Sequence, residues 1–411
     1  MMEYPILKKL YYKDREAYSR EAAERPRSLA AKSLPLEIHG APAYYVNCPE
    51  LTALLMRCYT LRDQLRSDSE KLPGVAYEFY KWNCLIDEVM LSLDLEGVRS
   101  TRKEIRAILD ASAKESEKKK RLVGLVRKYA RLLDDGNEVD LSGCGPLRQL
   151  YDELIADEIA KDELPDGQYF RKDYVSVVTA TDKEKHQGVA PPEENIIRHM
   201  ERALALFQDE SIPTLFSIIL FHYFFGYIHP FYDGNGRMSR FISSYLLMEH
   251  FDELTALRIS YAIKEQRKKY YDAFDIVNDP KNKGDTTPFL LLFLEILAAA
   301  EESLIEKLER GMEKLRFYLE MIEVLGPELG DDKMELLYVL IQNRMFGDED
   351  LTVKKLAEAS GLKEGKTREL IKQMAEKELG EAISMKRDGH AYVYSVDLEK
   401  LETVCGEAAN N

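Results

Sequence analysis

The chain has 411 residues, with 58 Lys+Arg against 73 Asp+Glu and a formal net charge of −15. That balance opposes a phosphate backbone or a polybasic membrane contact for the chain as a whole. Hydrophobic residues make up 45% and charged residues 32%, which excludes a disordered chain, and 22 Gly with 15 Pro are too few for an all-β fold dense in turns. A mainly α protein of roughly two to four domains fits the length. Five scattered cysteines without a CxxC pair argue against a disulfide framework or a zinc site and for reduced thiols. The first residues, MMEYPILKKLYYKDRE, show no continuous apolar stretch of a secretory signal, and a cytoplasmic location is expected.

In chain order, residues 50–66 place Leu51, Leu54, Leu55, Cys58, Leu61 and Leu65 on one helical face, and 76–92 continue with Tyr77, Tyr80, Cys84 and Val89. Residues 101–133 read as charged and helical, and Glu117–Arg121 as a solvated face or short connection. Breaks fall at Asp134–Gly136 and Ser142–Pro146, followed by a helix over 147–161 and a turn at Leu164–Gly167. Tyr174–Val178 is the most strand-like run of the first 330 residues. With the polar stretch to Gly188 and Pro191-Pro192, it predicts a short hairpin. From Glu193 to about Leu325 the pattern is helical again. Residues 212–228 and 288–300 are apolar but carry His222 and Glu295, and read as buried core helices with no membrane contact. Gly326-Pro327 and Gly330 mark a boundary. Beyond it, two helices around Gly361 and a ribbon over Ile383–Tyr394 follow a first helix at 333–344, the order of a winged helix.

Residues 229–240 read His-Pro-Phe-Tyr-Asp-Gly-Asn-Gly-Arg-Met-Ser-Arg. A glycine-rich loop directly before an amphipathic helix presents open backbone N–H groups to an anion. Arg237 and Arg240, at i and i+3, face one side of that helix. Asp233 is a hard oxygen ligand suited to Mg²⁺ shared with a phosphate. His229 at the loop entrance is a general base for neutral pH. Together these residues describe a nucleotide-phosphate site with a base for a hydroxyl nucleophile.

The stretch His229–Arg237 resembles the signature of the Fic family, H-x-F-x-[D/E]-G-N-[G/K]-R. The resemblance implies AMP transfer from ATP to a Ser, Thr or Tyr hydroxyl of a target protein. It further implies that His229 is the base, that Asp233 holds Mg²⁺, and that Gly234, Asn235 and Gly236 form the anion hole. Arg237 would hold the phosphates, Arg240 the γ-phosphate, and Phe231 would anchor the loop. Gly236 favours nucleotidyl over phosphoryl transfer, since family members that phosphorylate tend to carry Lys there. Downstream, Gln266–Asn278 is similar to the family's nucleobase pocket, with Tyr271 and Asn278 flanking the base; ordinary helix packing is the alternative. Upstream, Gly167–Pro192 resembles the family's flap, a hairpin that grips the target by strand addition.

Ser92-Leu-Asp-Leu-Glu96-Gly97, with Thr101-Arg102 after it, resembles the [S/T]-x-x-x-E-[G/N] motif of members that carry an inhibitory helix. The resemblance implies that Glu96 pairs with Arg240 and withholds it from the γ-phosphate; a surface pair with Arg99 is the alternative. The expected architecture is therefore a Fic-type helical bundle with a short β-hairpin flap plus a small C-terminal winged-helix (α+β) domain. Its expected parts are an N-terminal region with the inhibitory helix over 1–110, a catalytic core over 111–325 and the small domain over 331–411.

Gly361–Thr367 imitates a P-loop one residue short and reads instead as a turn entering a helix. Lys363, Lys366, Arg368 and Lys372 could face DNA, but residues 331–411 hold 12 Lys+Arg against 17 Asp+Glu, a net of −5. That charge disfavours DNA and favours a dimerisation, regulatory or docking module; a homodimer is compatible. His222 and His229 are not a metal pair, because Pro230 ends their helix. Alternatives left open are another nucleotide, additional removal of AMP, and a DNA-binding regulator with the core as sensor.

Overall fold

A computed structural model describes residues 4–110, 122–133, 138–178, 184–347, 349–388 and 391–409. The run Glu117–Arg121 and the break at Asp134–Gly136 lie outside the described residues. The fold is mainly helical with small β-sheets. The chain divides into two compact units, Met1–Asp63 with Leu85–Glu302, and Gln64–Cys84 with Ser303–Asn411.

The core of the first unit is the helix Thr214–Ile228, in which every residue except Thr214 and Gly226 is buried. An all-round apolar helix must be enclosed on all sides. At 15 residues it reaches only about 22 Å, and among the described residues no helix is long and apolar enough to cross a membrane. Its aromatic side chains interlock with the surrounding helices: Tyr223 meets Phe274 and Phe289, and Phe225 meets Phe231. Asn235–His250 and Glu193–Leu204 pack against it. Inside, His222 is fully buried between Ser243 Oγ (2.9 Å) and Tyr270 Oη (2.7 Å). The Ser243 hydroxyl already donates to the Ser239 carbonyl, so His222 Nδ1 carries the proton and Nε2 accepts from Tyr270. Burial pushes its pKa down to about 3, and the ring is neutral. His222 is thus a hydrogen-bonded core residue.

The expected helices 50–66 and 76–92 are Pro49–Ser69 and Gly74–Leu95. The charged segment is helical over Arg102–Leu109, where Thr101 Oγ1 accepts from Glu104 N as the N-cap, and over Val123–Arg131. The helix expected over 147–161 is Cys144–Leu154, with a single turn at Ala156–Glu158. It starts earlier because Pro146 fits the first turn. A further correction concerns strands. Ala31–Ile38 and Ala41–Val46 form an antiparallel hairpin around His39-Gly40, so Tyr174–Val178 is not the outstanding strand signal of the first 330 residues. The cue was the alternation Leu34, Leu36, Ile38, all buried, masked by Pro35 and Pro42 inside the strands. The expected hairpin after Tyr174 is present, with Ser176–Val178 antiparallel to Glu184–Gln187.

In the second unit, Asp331–Phe346 precedes the short strand Leu351–Thr352, the helices Val353–Ser360 and Glu364–Gln373, and the ribbon Ile383–Asp388 with Ala391–Val396. The strand 391–396 lies between 351–352 and 383–388. Gly361 ends its helix at φ +69°, the left-handed cap that glycine adopts without strain. A last helix, Leu398–Ala409, was not expected.

Candidate functional site

His229 caps the apolar helix in the left-handed region, φ +52° and ψ +63°, with its N–H on Phe225 O at 3.0 Å. A non-glycine residue there carries strain that its surroundings must hold. The chain then dives inward. Phe231 is fully buried, stacked on Tyr151 at 3.9 Å between ring centres and edge-on to Phe170. Asn235 locks the loop from below: its Oδ1 accepts from Phe231 N (3.0 Å) and its Nδ2 donates to Phe231 O (2.8 Å). Gly234 turns at φ +85° into the helix Asn235–His250. Met238 N is bonded to Gly234 O at 3.0 Å, and the amides before it are the open donors of a helix N-terminus.

Both arginines of the helix are buried, Arg237 to 3% exposure and Arg240 to 2%. Arg237 donates from Nη1 to Glu158 Oε2 and from Nη2 to Asp233 Oδ2, each at 3.1 Å. Its Nε has no partner among the described residues. Arg240 donates from Nε to Ser92 Oγ (3.0 Å) and from Nη2 to Ser92 O (2.8 Å), and Nη2 lies 2.8 Å from Glu96 Oε1. Burial opposes its charge, but Glu96, Tyr270 and Tyr271 around it raise its pKa. Glu96 therefore sits with Arg240. It also rests on the loop: a Cβ at Gly236 would fall 2.0 Å from Glu96 Oε1. Any side chain at 236 would drive this carboxylate away.

Tyr271 and Asn278 belong to Arg267–Val277 and its C-cap. Tyr271 is edge-on to Tyr270 at 5.3 Å, and Asn278 Oδ1 accepts from Tyr223 Oη at 2.7 Å. Sequence reasoning gave no role to Glu158, the acid facing Arg237. It also left Arg171 and Glu193 unassigned at the foot of the hairpin. Glu193 accepts from the amides of Gln168, Tyr169 and Phe170 at 2.7–2.8 Å. Burial opposes its charge, yet those amides hold its pKa below the usual carboxylate range. Arg171 is fully buried and donates to four main-chain carbonyls. An acid following two prolines, or an arginine within an aromatic run, gives no periodic signal. Only the fold reveals them.

The Fic/DOC family model matches residues 146–247. Protein adenylyltransferase Fic of Drosophila erecta is 37% identical over 98 residues, 22% of this chain and 17% of that protein. Its counterpart in Aedes aegypti is 39% identical over 69 residues, 17% of this chain and 12% of that protein. The chain thus spans less than a fifth of the length of these relatives. A crystal structure of a Fic family protein from Desulfovibrio desulfuricans G20 shares the fold, with a TM-score of 0.52 and 19% identity over 86% of this chain and 97% of that one. The loop, both buried arginines and all but the last three residues of their helix lie inside the matched segment. Residues 146–247 are a Fic/DOC family domain.

Proposed function

We propose that the protein is an adenylyltransferase that moves AMP from ATP to a Ser, Thr or Tyr hydroxyl of a target protein and is held back by Glu96. The observation that carries this reading is the Glu96–Arg240 ion pair, which joins the motif Ser92–Gly97 to the helix Asn235–His250; Ser92 and Arg240 are 148 residues apart in sequence. In the active form His229 takes the proton of the target hydroxyl. Its Nδ1 faces the Gly226 carbonyl at 3.4 Å, which leaves Nε2 as the base. The hydroxyl oxygen bonds to the α-phosphorus, the bond from that phosphorus to the β-bridging oxygen breaks, and pyrophosphate leaves. The open amides of Asn235–Arg237 and the Arg237 guanidinium stabilise the charge that develops. Arg240 holds the γ-phosphate, and Tyr271 and Asn278 hold the nucleobase.

The residues present fit Mg²⁺. Asp233 offers one carboxylate, 46% exposed and turned to Arg237, and Mg²⁺ is typically bound by one or two carboxylates plus phosphate oxygens and water. When bound, it would neutralise phosphate charge. While Glu96 occupies Arg240, the γ-phosphate lacks its partner and the α-phosphate is not lined up with the base. In the C-terminal unit, Lys366 pairs with Asp332 and Lys372 with Glu376, which supports a docking or dimerisation module of winged-helix order over a DNA reader.

Labelling with [α-³²P]ATP tests the reading. Glu96→Gly is expected to transfer far more label than the wild type, and adding His229→Ala to abolish it. Equal labelling by wild type and Glu96→Gly would remove the brake from the account.

A further inference from the structure

We propose that Arg171 is a positioning residue that ties His229 to both arms of the flap hairpin, so that the base and the target-gripping strand keep one fixed relation. The inference rests on the proposed transferase reading and deepens it.

Among the described residues, Arg171 has no side-chain oxygen as a hydrogen-bond partner. Nε donates to His229 O (2.8 Å), Nη1 to Asp173 O (2.6 Å), and Nη2 to Val189 O (2.8 Å) and Ile228 O (3.3 Å). Asp173 leads into the first flap strand and Val189 leaves the second. Ile228 and His229 are the end of the apolar helix, whose last carbonyls have no intrahelical donor and form its negative pole. The guanidinium is the counter-charge of that pole. Its fork reaches three segments at once, which a single ammonium point cannot do. Burial lowers its pKa to about 10, so it stays charged at neutral pH.

The same junction is drawn tight by the main chain, through Arg171 N to Pro230 O and Val189 N to Ile228 O, each at 3.1 Å. Gly188 is squeezed into it. A Cβ there would fall 2.6 Å from Arg171 Nη2 and 3.0 Å from both His229 Cβ and Ile228 O. The left-handed backbone of His229 is thereby held from its carbonyl side by Arg171 and from its N–H side by Phe225. Arg237, Arg240 and Glu96 take no part in this junction.

Two variants, Arg171→Lys and Gly188→Ala, test the proposal in the 411-residue chain carrying Glu96→Gly; the second keeps the guanidinium and wedges it from His229. Transfer to the target is expected to fall about 10–100-fold, while ATP affinity by calorimetry stays within about twofold, as for a small misplacement of a base. Amide exchange is expected to speed up together in 171–178, 184–189 and 226–233, and to be unchanged in 238–247. Loss of ATP affinity in step with transfer, or unchanged transfer, would overturn the proposal. So would faster exchange in the flap without the 226–233 segment. If Glu96→Gly itself transfers no AMP, the transferase reading fails, and the exchange pattern alone decides the junction. If Arg171→Lys does not fold, Gly188→Ala decides.

Discussion

Two regions carry the same sequence cue, glycines in a turn followed by a helix with basic residues. Around Gly234 and Gly236, Arg237 and Arg240 are almost wholly buried, and each faces a carboxylate from a distant segment, Glu158 and Glu96. Around Gly361 and Gly365, the Lys366 side chain is 51% exposed and Lys372 60%, and their acids Asp332 and Glu376 are 44% and 50% exposed. Exposed pairs of this kind contribute little. A buried cation without its carboxylate is costly, and in the first region acids from distant segments supply that counter-charge. The contrast separates a site from a solvated helix more sharply than either local sequence does.

The largest expected effect breaks the first region alone. In the Glu96→Gly background, Arg237→Ala is expected to lower single-turnover transfer by about 10²–10³-fold, the scale of losing a preorganised charge donor. Equal loss from Lys366→Ala would erase the distinction. A second test asks what burial without a partner costs. Glu301 is fully buried and both its carboxylate oxygens lack hydrogen-bond partners among the described residues. Desolvation pushes its pKa up to about 9, with Asp252 adding to the rise. Between about pH 4.5 and 9 the folded state holds a proton that the unfolded state has lost, so this group makes stability fall as pH rises through that window. Leucine at 301 titrates in neither state. Glu301→Leu is therefore expected to gain roughly 2–4 kcal/mol more at pH 8 than at pH 5 by denaturant unfolding. An equal change at both pH values would contradict the assignment.

Part of this was legible from the residues and part was not. The helices came from apolar spacing, and the turn at Gly234 into the arginine-bearing helix from its glycines, because both are local patterns. The hairpin 31–46 was not, because Pro35 and Pro42 conceal an alternation that burial makes plain. Glu158, Glu193 and Arg171 were not, since each acts on main-chain or charged groups that are far away in sequence. Glu96 and its pairing with Arg240 were expected only through the motif's resemblance; its seat on Gly236 required the fold.

Smaller effects sharpen the picture further. Ser92→Ala removes the acceptor of Arg240 Nε; leaving a buried charged donor unpaired costs about 1–3 kcal/mol. Basal transfer should rise, by less than in Glu96→Gly, in the same labelling assay. No rise would assign Ser92 a purely packing role. Smallest of all, Lys366→Ala should change unfolding free energy by no more than about 0.5 kcal/mol, as for other exposed positions. A larger loss would mean that the exposed pair with Asp332 is structural.

The central claim is that the buried arginines and their loop serve nucleotidyl transfer once Glu96 is removed. Parallel labelling of target lysate by the Glu96→Gly protein with [α-³²P]ATP and [γ-³²P]ATP tests it most directly. Label is expected from the α position, none from the γ position, and none from either after His229→Ala. Label from the γ position, or from neither, would contradict it.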